Sequence, residues 1–255
     1  HYRAEYLEKS LLTVHFAWGQ HPGVFGERFA RFCVCGQALA CATGTTPLDM
    51  LCRALDAEGG SVAVPALTFI ATALAPIAAG AKIILIDCDS HTFQMDPDDL
   101  AKKIRNDTRA VILVHLGGFI SPHLERIKNI AESYGAALVE DAAHAHGAEI
   151  WGRKAGNLGL AGAFSFYPTK VLTTAEGGMV CTSDEALTDK LRGLRQHGQE
   201  KPGSNQHQHF GLNYRPSEIH SLLGLAMMKK AEWILDSRRQ AAARYDELLK
   251  DSALI

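Results

Sequence analysis

The chain contains 255 residues, of which 47 % are hydrophobic and 21 % are charged, and its 26 basic residues nearly balance 28 acidic ones. This composition excludes a disordered chain, a collagen and a disulfide scaffold, and the length allows a full α/β core. The balanced charge offers no electrostatic surface for nucleic acid. Prolines and a glycine interrupt the longest apolar stretch, residues 61–81, so we expect no membrane-spanning helix and a soluble, cytoplasmic protein.

The six cysteines lie in apolar surroundings without a C-x-x-C pair. We therefore predict reduced thiols within the core, at Cys33, Cys35, Cys41, Cys52, Cys88 and Cys181. His207 and His209 have a spacing that would suit a metal ion, but no cysteine or acid nearby completes a ligand set. We predict no metal site.

A Gly-Thr turn at residues 43–47 opens the first clear helix, because apolar residues recur at helical spacing from Leu48 to Leu55. From about residue 60, short apolar runs alternate with helical segments, a pattern typical of a largely parallel sheet with crossover helices. The predicted strands are residues 62–64, 83–86, 110–114, 137–139, 163–166 and 179–182.

Capping signals mark the helix starts between these strands. Asp96-Pro97 and Ser121-Pro122 each place a capping side chain before a proline at the first helical position, and Ser183 precedes an acidic pair. Further along the chain we predict a helix at residues 184–195, a polar loop at 196–215 and mainly helical structure at 216–249.

The most informative segment is residues 137–147, where an apolar strand runs directly into two acids and a turn of small residues. Ligands of open α/β sheets bind at the carboxyl ends of strands, so we expect Asp141 to face a site. A carboxylate there could pair with a protonated ring nitrogen. The alternative is an aspartate that only caps the following turn.

A second strand ends in a polar turn that carries Ser165 and, five residues later, Lys170. A partly desolvated lysine amine has a lowered pKa and can form a Schiff base with an aldehyde. The alternative is a surface lysine. Together with the Gly44-Thr45 turn, whose helix N-terminus suits a phosphate, these residues supply the parts needed to bind pyridoxal 5′-phosphate.

Several short motifs then follow one another in a specific order. They are TGT at 43–45, VPALTF at 64–69, VHLGG at 114–118, EDAAHAHGA at 140–148, SFYPTK at 165–170, EGGM at 176–179 and GLNYR at 211–215. With this ordered set the chain resembles the DegT/DnrJ/StrS family of sugar aminotransferases, from about Phe25 to about Leu249. The resemblance implies an α/β protein of the fold-type I pyridoxal-phosphate transferases, with a mostly parallel central sheet and flanking helices.

The resemblance also implies a domain organisation. Residues 1–24 would form an N-terminal arm or helix, 25–225 the large cofactor-binding domain, and 226–255 the beginning of a small C-terminal domain. The chain opens on His1 without an initiator methionine and ends at Ile255, where the family's members continue. We therefore expect part of a longer protein, with the chemistry present and part of the substrate recognition missing.

The resemblance assigns the central roles to two residues. Lys170 aligns with the lysine that bonds to the cofactor, and Asp141 with the acid on its ring nitrogen. Phe69 stands where the family places a flat side chain against the ring, and His144 where a glutamine or histidine reaches the phenolic oxygen. A core phenylalanine and a structural histidine are the alternatives for these two.

The remaining roles concern the cofactor's phosphate. Gly44, Thr45 and Ser165 are expected to bind it within the same chain. Asn213 resembles the family's asparagine that reaches the phosphate from the other subunit, which implies a homodimer with a shared active site. The family has asparagine or serine at Thr43 and a small residue at Pro47, so the first helical turn can sit differently here.

We therefore expect an aminotransferase that moves an amino group from an amino acid, with glutamate as the expected donor, to a nucleotide-linked keto-sugar. Such reactions belong to amino-sugar biosynthesis for polysaccharides or antibiotics. Two alternatives stay open. One is an aminotransferase or aromatising enzyme acting on a cyclic ketone of the aminocyclitol or aminobenzoate type; the other is a relative that binds the cofactor without catalysis.

Overall fold

The apolar runs of the sequence form the strands of a seven-stranded sheet in a computed structural model that describes residues 19–201 and 203–250. The strands are β1 (Gln37–Cys41), β2 (Ser61–Pro65), β3 (Lys82–Ile86), β4 (Thr108–Val114), β5 (Ala137–Asp141), β6 (Glu149–Ile150), β7 (Arg153–Lys154), β8 (Ala161–Ser165) and β9 (Gly178–Thr182). The helices are α1 (His21–Cys33), α2 (Thr45–Ala54), α3 (Ala71–Ala78), α4 (Pro97–Lys103), α5 (Leu124–Ser133), α6 (Glu185–Arg195), α7 (Glu218–Met228) and α8 (Ala231–Leu249), with a 3₁₀ turn at Leu116–Gly118.

The sheet has the strand order β1-β9-β8-β5-β4-β2-β3. Its pairs are parallel from β8 through β5, β4 and β2 to β3, whereas β9 runs antiparallel to both β8 and β1. β6 and β7 form a separate hairpin. The predicted α/β fold with a mostly parallel sheet is confirmed, and the carboxyl ends of β2, β4, β5 and β8 lie at one edge of the sheet.

All six predicted strands are present within two residues of their predicted bounds. β1 and the β6-β7 hairpin were not predicted. β1 is short and bordered by Gly36 and Gly44, and it pairs with a strand far along the chain, β9. Because the partner of β1 lies far along the chain, the five residues of β1 carry little of the sequence pattern by which a strand is recognised.

Two predicted caps are wrong, whereas Asp96 caps α4 as predicted by accepting a hydrogen bond from Asp98 N. α5 begins at Leu124 and not after Ser121-Pro122, because the Ser121 hydroxyl accepts from His123 N in a turn of its own. The cap of α6 is Asp184 rather than Ser183.

The geometry around α6 explains the difference. Asp184 accepts from Leu187 N at 2.8 Å, while the Ser183 hydroxyl accepts from the backbone of Gly36. The predicted helix at 184–195, the polar loop and the helical region after it are confirmed.

The proposed domain limits fall within helices. The boundary between residues 24 and 25 lies in α1, and the boundary between 225 and 226 lies in α7. Most of the expected N-terminal arm, residues 1–18, and the last residues, 251–255, lie outside the described part of the chain. The division into arm, large domain and beginning of a small domain stays a prediction.

All six cysteines are free thiols, and four of them are buried, Cys33, Cys41, Cys52 and Cys181. Cys35 and Cys88 are partly exposed, so the prediction of core thiols is wrong for these two. Burial raises the pKa of both Cys41 and Cys52 to about 12, which leaves these thiols protonated and unreactive. Within residues 19–201 and 203–250, no helix combines the length and apolar character needed to cross a bilayer.

A fully buried hydrogen-bonded pair, Glu140 and His115, fixes the loop beside the central strand. Glu140 accepts a hydrogen bond from His115 Nε2 at 2.9 Å, and neither side chain is exposed. Its two oxygens also accept from the backbone N–H groups of Gly156, Leu158 and Gly159 at 2.7 to 2.9 Å. Burial alone would raise the pKa of Glu140, but these hydrogen bonds and the His115 charge lower it overall.

The first prediction concerns Glu140→Gln. An amide NH₂ in place of a carboxylate oxygen would face N–H donors in a site without water, so we expect the free energy of unfolding to fall by about 3 kcal/mol. Urea unfolding measures this as a lower midpoint with an unchanged slope. The control is Glu247→Gln, which removes an exposed carboxylate and should cost under about 0.5 kcal/mol. Equal effects of both variants would contradict the account.

Candidate active site

One cavity of about 460 Å³ lies at the carboxyl ends of the parallel strands, beside the first turn of α2. Its size is in the usual range for a small-molecule or cofactor site. The residues that the sequence singled out and that line it are Gly44, Thr45, Phe69, Asp141, His144, Ser165 and Lys170. The fold therefore brings together residues that lie up to 126 positions apart in the sequence.

Asp141 ends β5 with its carboxylate almost fully buried. The Thr72 hydroxyl of α3 donates to Oδ2 at 2.7 Å, and the backbone N–H of Ala143 donates to Oδ1 at 3.2 Å. The carboxylate thus caps the following turn and also lines the cavity. Because each oxygen can accept more than one hydrogen bond, capacity for a donor within the cavity remains.

Lys170 follows β8 in a turn that its own backbone closes, with the N–H of Lys170 donating to the Tyr167 carbonyl at 2.9 Å. The side chain is partly buried and lines the cavity. Burial lowers the pKa of Lys170, and the negative charge of Asp141 opposes that shift only in part. A larger neutral fraction makes the amine a better nucleophile than a surface lysine.

His144 lies between the Asp141 and Lys170 side chains and the loop that follows β4, which we call the β4 loop. The backbone N–H of Gly117 donates to His144 Nδ1 at 3.3 Å, so the ring proton of the neutral histidine belongs on Nε2. Burial, followed by the positive charge of Lys170, lowers the pKa of His144. The side chain is accordingly a neutral ring whose remaining N–H can serve as a donor.

The Gly117-Gly118 turn that reaches His144 needs glycine at both positions. Both residues have left-handed backbone angles, with φ values of 64° and 88°. A Cβ on Gly118 would also lie 2.9 Å from the carbonyl oxygen of His144. The glycine pair therefore allows the β4 loop to approach the histidine closely.

The N-terminus of α2 forms a cradle for an anion. Gly44 is its capping residue, and no side chain in the described chain caps the helix, so its first amide groups point away from the helix without such a partner. Ser165 lies directly against Gly44, where an added Cβ would be 2.4 Å from the Cβ of Ser165. Only glycine permits this contact, which brings the Ser165 hydroxyl beside the helix end.

Of the two predicted residues that remain, one lines the cavity and the other does not. Phe69 lines the cavity with 72 % of its surface exposed, so it is not a core phenylalanine. Asn213 is exposed and does not line this cavity; its backbone pairs with Gln196, and its Oδ1 accepts from Arg215 N at 3.4 Å. The role predicted for Asn213 lies in a second subunit and stays a prediction.

Thr72 and Gly117 are the contributors that the sequence did not single out. Thr72 lies within an apolar helical stretch, and nothing in the pattern shows that it faces the end of β5. Gly117 belongs to the VHLGG motif, but its role is a backbone hydrogen bond that no residue type encodes. Only the fold reveals both contacts.

Comparison with known proteins gives consistent matches. The model of the DegT/DnrJ/EryC1/StrS aminotransferase family matches residues 2–255. The chain is 36 % identical over 226 residues to the GDP-perosamine synthase of Caulobacter vibrioides, covering 88 % of this chain and 61 % of that protein. It is 38 % identical over 245 residues to the UDP-N-acetyl-3-dehydro-alpha-D-glucosamine 3-aminotransferase of Acidithiobacillus ferrooxidans, covering 95 % of this chain and 66 % of that protein.

Solved structures share the fold. The structure of DesI in the presence of its TDP-sugar product superimposes with a TM-score of 0.90 at 33 % identity, over 98 % of this chain and 63 % of that one. The present chain thus spans less than two thirds of the length of each of these three proteins.

The second prediction concerns the amine of Lys170. Competitive labelling with an acylating reagent across a pH series, read by peptide mass spectrometry, should give Lys170 a reaction midpoint below the ordinary lysine value. Asp141→Asn removes the charge that holds the pKa of Lys170 up, so the midpoint should fall further. An unshifted midpoint, or an upward movement in Asp141→Asn, would contradict the account.

Proposed function

Because the chain belongs to the DegT/DnrJ/EryC1/StrS aminotransferase family, we propose that it binds pyridoxal 5′-phosphate and transfers an amino group. The donor is an amino acid, with glutamate expected, and the acceptor is a keto-sugar attached to a nucleotide. The observation that carries the proposal is the convergence of Asp141, Lys170 and the α2 cradle on one cavity. Asp141 alone could be an aspartate that only caps a turn, and Lys170 alone could be a surface lysine.

The residues present fit the cofactor. The Gly44 cradle with the Ser165 hydroxyl suits a phosphate, since it presents helix amides and excludes a Cβ. Asp141 is a buried carboxylate already held by two donors, and Lys170 is a partly buried amine with a lowered pKa. Phe69 offers a flat face at the cavity.

When bound, the cofactor supplies an electron sink for the negative charge that forms at the carbon carrying the amino group. Asp141 would hold a proton on the cofactor's ring nitrogen, because its fixed negative charge favours the protonated form. His144 would donate its Nε2 proton to the ring oxygen. Lys170 Nζ would bond to the aldehyde and, once displaced by the donor amine, move a proton away from the donor's α-carbon.

The acceptor class is proposed from the relatives. The two proteins above named as a GDP-perosamine synthase and a UDP-sugar aminotransferase use different nucleotides, so we propose the nucleotide-linked keto-sugar as a class and not one member of it. Such a reaction places the chain in amino-sugar biosynthesis for a polysaccharide or an antibiotic.

A homodimer with a shared site completes the proposal. Asn213 is exposed and lies outside its own subunit's cavity, where it is available to a second copy. Phe69, which lines the cavity, and Ile70, Leu74 and Ile77, which follow it at the start of α3 and along it, are also exposed, at 49 to 72 %. Ile70, Leu74 and Ile77 recur at helical spacing, and an exposed apolar helix face that begins beside a site suits a protein interface.

The third prediction separates the two central residues. Lys170→Ala should abolish both the absorbance band of the lysine-bound cofactor and turnover, because no amine remains to bond with the aldehyde. Asp141→Asn should keep a cofactor band but slow amino transfer by about 10²-fold or more, since the fixed negative charge is lost. Absorbance spectra and an amino-transfer assay measure the two effects. Retention of band and turnover in Lys170→Ala would overturn the proposed function.

The fourth prediction tests the shared site. The inactive Lys170→Ala variant and the Asn213→Ala variant, which we expect to be weakly active, are mixed and allowed to exchange subunits. Half of the dimers are then mixed, and each mixed dimer contains one site with both an intact Lys170 and an intact Asn213, so about a quarter of normal activity should return. Activity no higher than the sum of the separate variants would show that Asn213 does not act across an interface.

A further inference from the structure

A buried cluster ties the segment that carries Asn213 to helix α2. The Tyr214 hydroxyl donates a hydrogen bond to the Asp49 carboxylate on α2. Arg53, one turn further along the same helix, donates its Nε–H to both oxygens of Asp49 at 3.1 Å each. We call Asp49, Arg53 and Tyr214 the anchor cluster.

The anchor cluster is largely buried, and its one negative charge is balanced by one positive charge. Asp49 and Tyr214 are 7 % and 6 % exposed, and the Arg53 guanidinium balances the Asp49 charge while lying 5.3 Å from the centre of the Phe210 ring. Burial, together with the hydrogen bond to Asp49, raises the pKa of Tyr214 to about 12. The tyrosine therefore stays protonated and keeps donating to Asp49 at physiological pH.

Backbone hydrogen bonds extend the same anchor. The N–H of Ala42, just after β1, donates to the Tyr214 carbonyl at 2.9 Å, and the N–H of Tyr214 donates to the Arg195 carbonyl at 3.1 Å. Tyr214 is thus fixed by its hydroxyl, its carbonyl and its amide. The adjacent residue, Asn213, is exposed, so the buried tyrosine determines where the asparagine is presented.

We propose that the anchor cluster consists of positioning residues that hold Asn213 in place for the cofactor phosphate of the partner subunit. This inference rests on the proposed shared site. Helix α2 then serves two sites: its first turn, at Gly44 and Thr45, forms the cradle of its own subunit, and Asp49 orients the asparagine that completes the other. The cofactor affinity of one subunit accordingly depends on a hydroxyl group that belongs to the other.

Tyr214→Phe is the sharpest variant, because it removes one hydroxyl and keeps the buried ring. Titration with pyridoxal 5′-phosphate, followed by absorbance, should show binding about five- to tenfold weaker, the scale of one ordinary hydrogen bond. Tyr134→Phe, which removes a tyrosine hydroxyl from the surface end of α5, should bind as the parent does. Adding Tyr214→Phe to Asn213→Ala should cause no further loss, whereas an additive loss would contradict the positioning role.

Isolated mixed dimers give the decisive comparison. In the first, a parent subunit pairs with a Lys170→Ala, Tyr214→Phe subunit; in the second, a Tyr214→Phe subunit pairs with a Lys170→Ala subunit. The reference pairs a parent subunit with Lys170→Ala alone. Each dimer keeps one Lys170, so the absorbance band reports one site.

The inference expects the five- to tenfold weakening in the first dimer only, with the second equal to the reference. Weakening in the second dimer alone, equal weakening in both, or no weakening in either would overturn it while leaving the proposed function intact. A reference dimer that forms but gives no Lys170-dependent band would instead overturn the proposed function, and the inference with it.

Discussion

The parallel pairing of β5 between β4 and β8 is the constraint on which the site depends. In this register Asp141 stands opposite Val114 on one side and Ala163 on the other, so the carboxylate arrives at the sheet edge where β8 ends and the Lys170 turn begins. Two oppositely charged side chains, 29 positions apart in sequence, then line one cavity in which both are at least partly buried. Burial lowers the pKa of Lys170, and the nearby Asp141 limits that shift, so a larger fraction of this amine is neutral than in a surface lysine.

The neighbouring acids Glu140 and Asp141 have different roles: Glu140 stabilises the structure, and Asp141 is available for chemistry. Side chains alternate across a strand, so consecutive residues of β5 point to opposite faces. The two carboxylate oxygens of Glu140 use all their hydrogen-bonding capacity, because they accept from His115 and from the backbone of residues 156–159. Asp141 accepts two hydrogen bonds from the residues that the structure describes and keeps capacity for a ligand. The first acid holds the loop rigid beside the strand that presents the second.

The sequence predicts six of the strands and the central residues of the cavity, because buried parallel strands read as apolar runs and polar residues at their ends share one edge of the sheet. It does not predict contacts between distant elements that use common groups. The Thr72 hydroxyl on Asp141, the Gly117 amide on His144 and the Asp49-Tyr214 bond depend on packing across the fold, and no local pattern marks them. The later start of α5 and the different cap of α6 have a similar cause. Ser121 accepts a hydrogen bond from His123 N and Ser183 accepts one from Gly36 N, so neither serine caps the helix as predicted.

The most direct test of the central claim is a spectroscopic titration of the chain loaded with pyridoxal 5′-phosphate. Glutamate is added first, and nucleotide-linked keto-sugars or cyclic ketones are added afterwards. The account predicts that glutamate removes the absorbance band of the lysine-bound cofactor and that a nucleotide keto-sugar restores it. A band that glutamate leaves unchanged would contradict amino transfer, and restoration by a cyclic ketone alone would contradict the proposed acceptor.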